Sequence, residues 1–137
     1  MPDQWRSAVA LFNLAGRHAS LGEWDRALTL CEDAYVLAPL SRVTGLLAGL
    51  LKRTGDASRA DQLLRKLEPA DAFGVPLGLA LYHWVLHEFD AEADWLEKAI
   101  EQRDPIGPML LRFWYGAELR STPRWAGLMR KLNLPES

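Results

Sequence analysis

The stretch Leu14–Pro39, "LAGRHASLGEWDRALTLCEDAYVLAP", decides the fold class. Apolar residues recur three and four apart, first at Leu11, Leu14, Ala15 and His18, then at Ala27, Leu30, Cys31 and Ala34. That spacing places them on one face of each of two helices. Gly22 separates the two patterns and Pro39 closes the second, which are the residues helices use to stop. The small residues are as carefully placed as the large ones. Two antiparallel helices approach closely only where the side chains at their crossing are small, so Ala15, Ala27 and Ala34 read as contact positions.

Outward from this stretch the pattern continues. Ser41 can cap a third helix, Gly55 and Asp56 form a stop and a restart, and Gly74 with Pro76 opens a fifth helix. Ser121-Thr122-Pro123 places hydroxyls and a proline at the start of the last one. The spacing predicts eight helices, near 4–20, 24–37, 42–54, 57–68, 75–87, 91–103, 108–119 and 123–132. Strand signals are poor: alternating runs rich in Val, Ile and Thr are absent, as are Asn-Gly and Asp-Gly turns.

The first helix pair repeats. Shifted by 33 and then 32 residues, Leu14 meets Leu47 and Leu79, and Ala15 meets Ala48 and Ala80. Gly22 meets Gly55 and His87, Ala27 meets Ala60 and Glu92, and Leu30 meets Leu63 and Trp95. Ala34 meets Leu67 and Ala99. The third unit's helix-opening alanine is displaced to Ala91 or Ala93, which leaves its register open by one residue. A period of this length marks stacked helical hairpins.

These residues resemble the tetratricopeptide repeat (TPR). Leu11, Leu14, Ala15, His18, Gly22, Trp24, Ala27, Ala34 and Pro39 match its positions best; the second unit lacks the closing proline. The tail "LRSTPRWAGLMRKLNLP" is similar to the segment that closes TPR regions in bacterial multidomain signalling proteins, where they follow cyclase, protein-kinase or winged-helix domains. The resemblance implies an all-α fold, a right-handed superhelical stack of antiparallel helix pairs, in one domain. Its units span about 8–40, 41–72 and 73–105, with capping helices over 106–137. It also implies binding of a protein or peptide on the concave side, lined by the first helix of each pair. Relatives that clamp a C-terminal carboxylate need an asparagine where this chain has Gly16, so that activity is not carried over.

The concave face, as read from the spacing, carries Phe12, Gly16 and Ala19, then Arg42, Gly45, Gly49, Lys52 and Arg53, then Leu77, Leu81 and Trp84. It reads as a groove with apolar ends and a basic middle, suited to a segment with a central acidic residue. The expected partner-binding residues are Phe12, Arg42, Gly49, Lys52, Arg53, Leu81 and Trp84. The alternative is that the basic residues are solvated helix ends and that the chain's own last helices cover the apolar ones.

Other chemistry finds little footing. Charged residues are 25% and the net charge is −2, which gives no general case for nucleic-acid or membrane affinity. From Ile106 onward the balance is nevertheless +3. Cys31 is the only cysteine, so no internal disulfide is possible, and its place on an apolar helix face suits inert packing. The beginning of the chain lacks a signal peptide's apolar run, and "LLAGLL" is far shorter than the ~20 apolar residues of a membrane span. A cytoplasmic protein without a cofactor is expected. His83 and His87 have the i, i+4 spacing of metal ligands, but the residues between them are Trp84, Val85 and Leu86, and a zinc site needs further ligands. No nucleophile elbow or phosphate loop occurs. The expectation is a non-enzymatic interaction module, with a self-association module as the alternative and a His83/His87 metal-dependent enzyme as a minor one. In the self-association reading, "MLLRFWYGAEL" with Trp125 and Met129 forms an apolar stacking face at the C-terminal end.

Overall fold

The computed structural model describes residues 3–111 and 114–132, and within them it is all-helical, with no strand. The helices are α1 (Asp3–Ser20), α2 (Trp24–Leu37), α3 (Ser41–Arg53), α4 (Ala57–Arg65), α5 (Val75–Val85), α6 (Phe89–Glu101), α7 (Ile106–Leu111) and α8 (Arg124–Leu132), with a 3₁₀ turn at Leu119–Ser121. Three ends depart from the expected ones. α4 stops at Arg65, short of Pro69, whose ring disfavours helical backbone in the residue before it. α5 stops at Val85, and His87 turns left-handed at φ 59°. α7 is described over Ile106–Leu111, and residues 114–118 are turns and bends instead of the expected helix, with Gly116 at φ 96°. The expected caps also differ. Ser41 is already inside α3 and Leu40 precedes it without a side-chain cap, while the Thr122 hydroxyl donates back to the Leu119 carbonyl. Asp56 does cap α4, accepting from the Arg59 amide at 3.1 Å.

One turn is built three times. The amides of Gly22, Gly55 and His87 donate to the carbonyls of Ala19, Lys52 and Trp84. The next amides, of Glu23, Asp56 and Glu88, reach back to His18, Leu51 and His83. All three turn residues have positive φ, at 77°, 107° and 59°. This conformation is free for glycine and costs a side chain roughly 1 kcal/mol. In the first and third turns the histidine at the helix end also bonds the glutamate beyond it, His18 Nδ1 to Glu23 at 2.9 Å and His83 Nδ1 to Glu88 at 2.8 Å.

The same bonds fix the third unit's register. The amides of Ala27, Ala60 and Glu92 donate to the carbonyls of Glu23, Asp56 and Glu88, and all three side chains are fully buried. The alanine is therefore not displaced to Ala91 or Ala93. Glu92 stands in its place.

Bonds between elements about one unit apart run in the same chain direction. Glu32 and Tyr35 of α2 meet Arg59 of α4 and Lys66 just beyond its end, and Lys52 and Arg53 of α3 meet Tyr82 and Val85 of α5. Asp94 and Glu101 of α6 meet Arg124 and Lys131 of α8. The α6–α8 pairs are exposed, so their contribution is small. Arg124→Ala should cost under about 1 kcal/mol in a urea titration, and the difference should vanish in about 1 M salt. A salt-independent loss would show that packing of the Arg124 stem, not charge, is what matters.

The core runs through α3. Every residue from Val43 to Leu51 is buried, because α2, α4 and α5 enclose the helix on several sides. Its apolar character all round follows from that enclosure. Gly45 of α3 faces Gly78 of α5 with the two backbones in direct contact. In α1 the buried set is Ala8, Phe12, Ala15, Gly16 and Ala19, not the expected Leu11, Leu14, Ala15 and His18. Leu14 is 49% exposed while its counterpart Leu47 is fully buried. Among the described helices α1 packs mainly against α2, and that contact leaves its Leu14 side open to solvent.

Candidate functional site

Part of the surface of α1 and α5 is covered by the chain itself. Trp114, just beyond α7, lies against α1 where Gly16 leaves the helix without a side chain. Its ring meets Phe12 edge-on at 5.7 Å and Trp84 of α5 at 5.1 Å. Tyr115 packs edge-on against Trp84 at 5.7 Å and is 1% exposed. The Trp84 indole N–H donates to the Glu118 carboxylate at 3.1 Å.

Four of the seven expected partner-binding residues are therefore enclosed: Phe12, Gly49, Leu81 and Trp84 are all buried. Gly49 lies against Tyr82 and Val85 of α5, where it allows the two helices to approach. The expectation that these residues line an open groove is corrected. Pairing of α3 with α5 takes up Gly49, and Trp114 and Tyr115 cover Phe12 and Trp84. The three basic residues lie closer to solvent. The Arg42 guanidinium sits over the Phe12 ring, 5.8 Å from its centre; burial pulls its pKa down, with the Asp104 charge opposing. Lys52 donates to the Tyr82 hydroxyl at 3.3 Å, which raises its pKa. Arg53 donates to the Val85 carbonyl at 3.1 Å and stacks 4.1 Å from the centre of Trp24. Lys52 and Arg53 are exposed and Arg42 is partly buried, so a charged rim remains beside a filled interior.

Beneath the covering segment lies an acidic group that the residue pattern flagged only as a mismatch. Glu92 is fully buried, and neither of its oxygens has a hydrogen-bond partner; the Tyr115 hydroxyl has none either. The carboxyl and the phenol sense one another without reaching full hydrogen-bond geometry. Burial pushes Glu92 up to about 8; the Tyr115 hydroxyl offsets part of this rise and the nearby Glu118 charge adds to it. Burial, with Glu92 beside it, holds Tyr115 well above the ordinary phenol value. A cavity of about 300 Å³ opens next to this cluster, between the Gly22 turn, Trp24, Trp84, His87 and Glu118.

Comparison with protein-family models, curated proteins and solved structures finds no match to this chain.

The two histidines with metal-ligand spacing do not share a helix face. His83 is inside α5 and bonds Glu88, whereas His87 lies past the helix end, its ring stacked on Phe89 at 5.4 Å and edge-on to Trp24 at 6.0 Å. Among the described residues no group of three His, Cys, Asp or Glu side chains converges as metal ligands. Cys31 is fully buried, its thiol directed at the Val43 carbonyl 3.7 Å away, and burial raises its pKa strongly. Ellman's reagent should leave the folded chain untouched and titrate one thiol in urea; rapid reaction of the folded chain would contradict this packing.

The C-terminal end is not the expected apolar stacking face. Leu110, Leu111, Trp114, Tyr115, Leu119, Leu128 and Met129 turn inward, while Met109 stays half-exposed and Phe113 lies outside the described residues. Large exposed apolar side chains are scattered among the described residues, at Trp5, Leu14, Leu21, Val36 and Phe73 as well as Met109. No described helix is long and apolar enough to cross a membrane.

Proposed function

We propose that this chain is a TPR-type interaction module, a right-handed superhelical stack of helix pairs that holds a protein or peptide segment and catalyses nothing. Its setting in this reading is the cytoplasm, as the regulatory region of a bacterial signalling system. The observation that carries the reading is the turn repeated at Gly22, Gly55 and His87, with the same two backbone bonds each time. A chain that sets hairpins in register presents first helices side by side, and such surfaces receive extended or helical segments. Lys52 and Arg53, exposed at the rim, favour a segment with acidic residues.

The test is selection from a displayed random-peptide library. Acidic peptides should be enriched, and Lys52→Glu, at an exposed position, should weaken them by about five- to tenfold in a folded protein. No enrichment, or affinity untouched by the reversal, would overturn this account of the rim. The second reading, self-association, is favoured by the exposed Leu14 of α1 with Leu21 seven residues on, just beyond the helix end and on the same side. It requires mass to rise with concentration in light scattering, and a monomer throughout would remove it.

A further inference from the structure

We infer that the Gly16 notch on the inner face is a receptor for an aromatic side chain of a partner segment, and that the chain's own Trp114 occupies it as a built-in competitor. The inference rests on the interaction reading above and names the chemistry of its site.

Glycine within a helix costs roughly 1 kcal/mol relative to alanine, so Gly16 needs a reason. Its backbone is ordinary α-helix, and the three atoms nearest to a Cβ built there all belong to the Trp114 indole. The residue is small because a ring lies on it. Around that ring stand Phe12, Trp84 and Tyr115, the edge-to-face surroundings that aromatic side chains favour.

The segment that brings this ring is well packed, with Trp114 and Tyr115 both buried, but it closes over polar groups left without full hydrogen bonds. The Tyr115 hydroxyl and both Glu92 oxygens are buried without partners where it meets α6. Each such group costs about 1–3 kcal/mol relative to a satisfied one. Glu118, the acid that the segment does fix through Trp84, carries the same charge sign as Glu92 and works against it. A partner segment that supplies the ring and, beside it, a donor to Glu92 satisfies what Trp114 and Tyr115 leave open. An occupant tethered in the same chain competes at an effective concentration near millimolar, so the site is masked until a better segment arrives.

The probe is a fluorescein-labelled peptide of residues 114–119 (WYGAEL), titrated by anisotropy into the full chain. Trp114→Ala empties the notch in cis and should bind the peptide saturably, at least about tenfold more tightly than the unaltered chain. Adding Gly16→Leu to Trp114→Ala fills the notch from the helix itself and should abolish that gain. Equal binding to the unaltered chain and to Trp114→Ala, or binding insensitive to Gly16→Leu, would overturn the proposal. Should Trp114→Ala lose its helical circular dichroism, the unaltered chain labelled with 5-fluorotryptophan answers the same question. Peptide raised to several millimolar, above the effective concentration of the tether, must then shift the Trp114 fluorine resonance, and a resonance unmoved there refutes displacement. Library-selected peptides whose affinity survives Gly16→Leu would leave the interaction reading standing and remove the notch alone.

Discussion

Gly45→Ala should be the most damaging single methyl group that can be added to this chain, costing more than about 3 kcal/mol, a large share of an ordinary total stability. The Cβ would fall well inside contact with the Gly78 carbonyl oxygen and the backbone around it. Backbone cannot swing aside as a side-chain tip can, so α3 and α5 would have to separate, and both are buried along most of their length. Two comparisons make the claim specific. Gly49→Ala meets Val85 Cβ and the Tyr82 carbonyl oxygen at 3.0 Å, a contact that a small shift relieves, and should cost less. Gly22→Ala meets nothing within 4 Å and carries only the strain of φ 77°, about 1 kcal/mol. His87 and Arg103 tolerate that same backbone region, at φ 59° and 60°. Urea unfolding followed by circular dichroism should rank the three in that order. Gly45→Ala within about 1 kcal/mol of the unaltered chain would mean that α3 and α5 do not cross there.

What could be read beforehand, and what could not, follows from the range of the interactions concerned. The helices and their turns come from residues three to five apart, so the spacing around Gly22 and Gly55 finds them. The equivalence of His87 to those glycines is also visible in the shifted alignment, though only coordinates show that its backbone adopts the glycine's conformation. Leu14 and Leu47 are indistinguishable by pattern and opposite in exposure, because burial depends on which helix lies alongside, and periodicity does not carry that information. The pairing of Gly16 with Trp114 joins residues nearly a hundred positions apart. A glycine in mid-helix signals that something approaches, without saying what. The open groove was expected because the repeat implies a concave face, and repeats say nothing about the irregular segment that follows them. Glu92 did leave a trace, as the one misfit in a column of alanines. Moving the alanine by one residue was the milder explanation; the backbone bonds show that the milder explanation fails.

That misfit yields the second large effect, a stability that falls as pH rises through the neutral range. The unfolded chain releases the Glu92 proton near its ordinary value of 4.5, whereas the folded chain holds it to about 8. Between those values the native state binds more protons than the unfolded one, so raising the pH favours unfolding. The stabilisation of the neutral carboxyl is complete below about pH 4.5 and lost by about pH 8, with a slope approaching 1.4 kcal/mol per pH unit. The titratable groups that bear on Glu92 are Tyr115 and Glu118. Tyr115 titrates far higher, and Glu118 is an acid that only strengthens the effect. Glu92→Gln keeps the shape and removes the proton, so it should match the unaltered chain near pH 4.5 and exceed it by a few kcal/mol near pH 8. The histidines are common to both proteins, so the difference between the two curves isolates Glu92. Parallel curves would show that the carboxyl is not enclosed, and hence that Tyr115 does not close over it. The same comparison bears on the covering segment, since an ionised Glu92 repels the Glu118 carboxylate that this segment fixes through Trp84. Trypsin cleavage after Arg120 should then accelerate between pH 7 and pH 9 in the unaltered chain, beyond any change in Glu92→Gln.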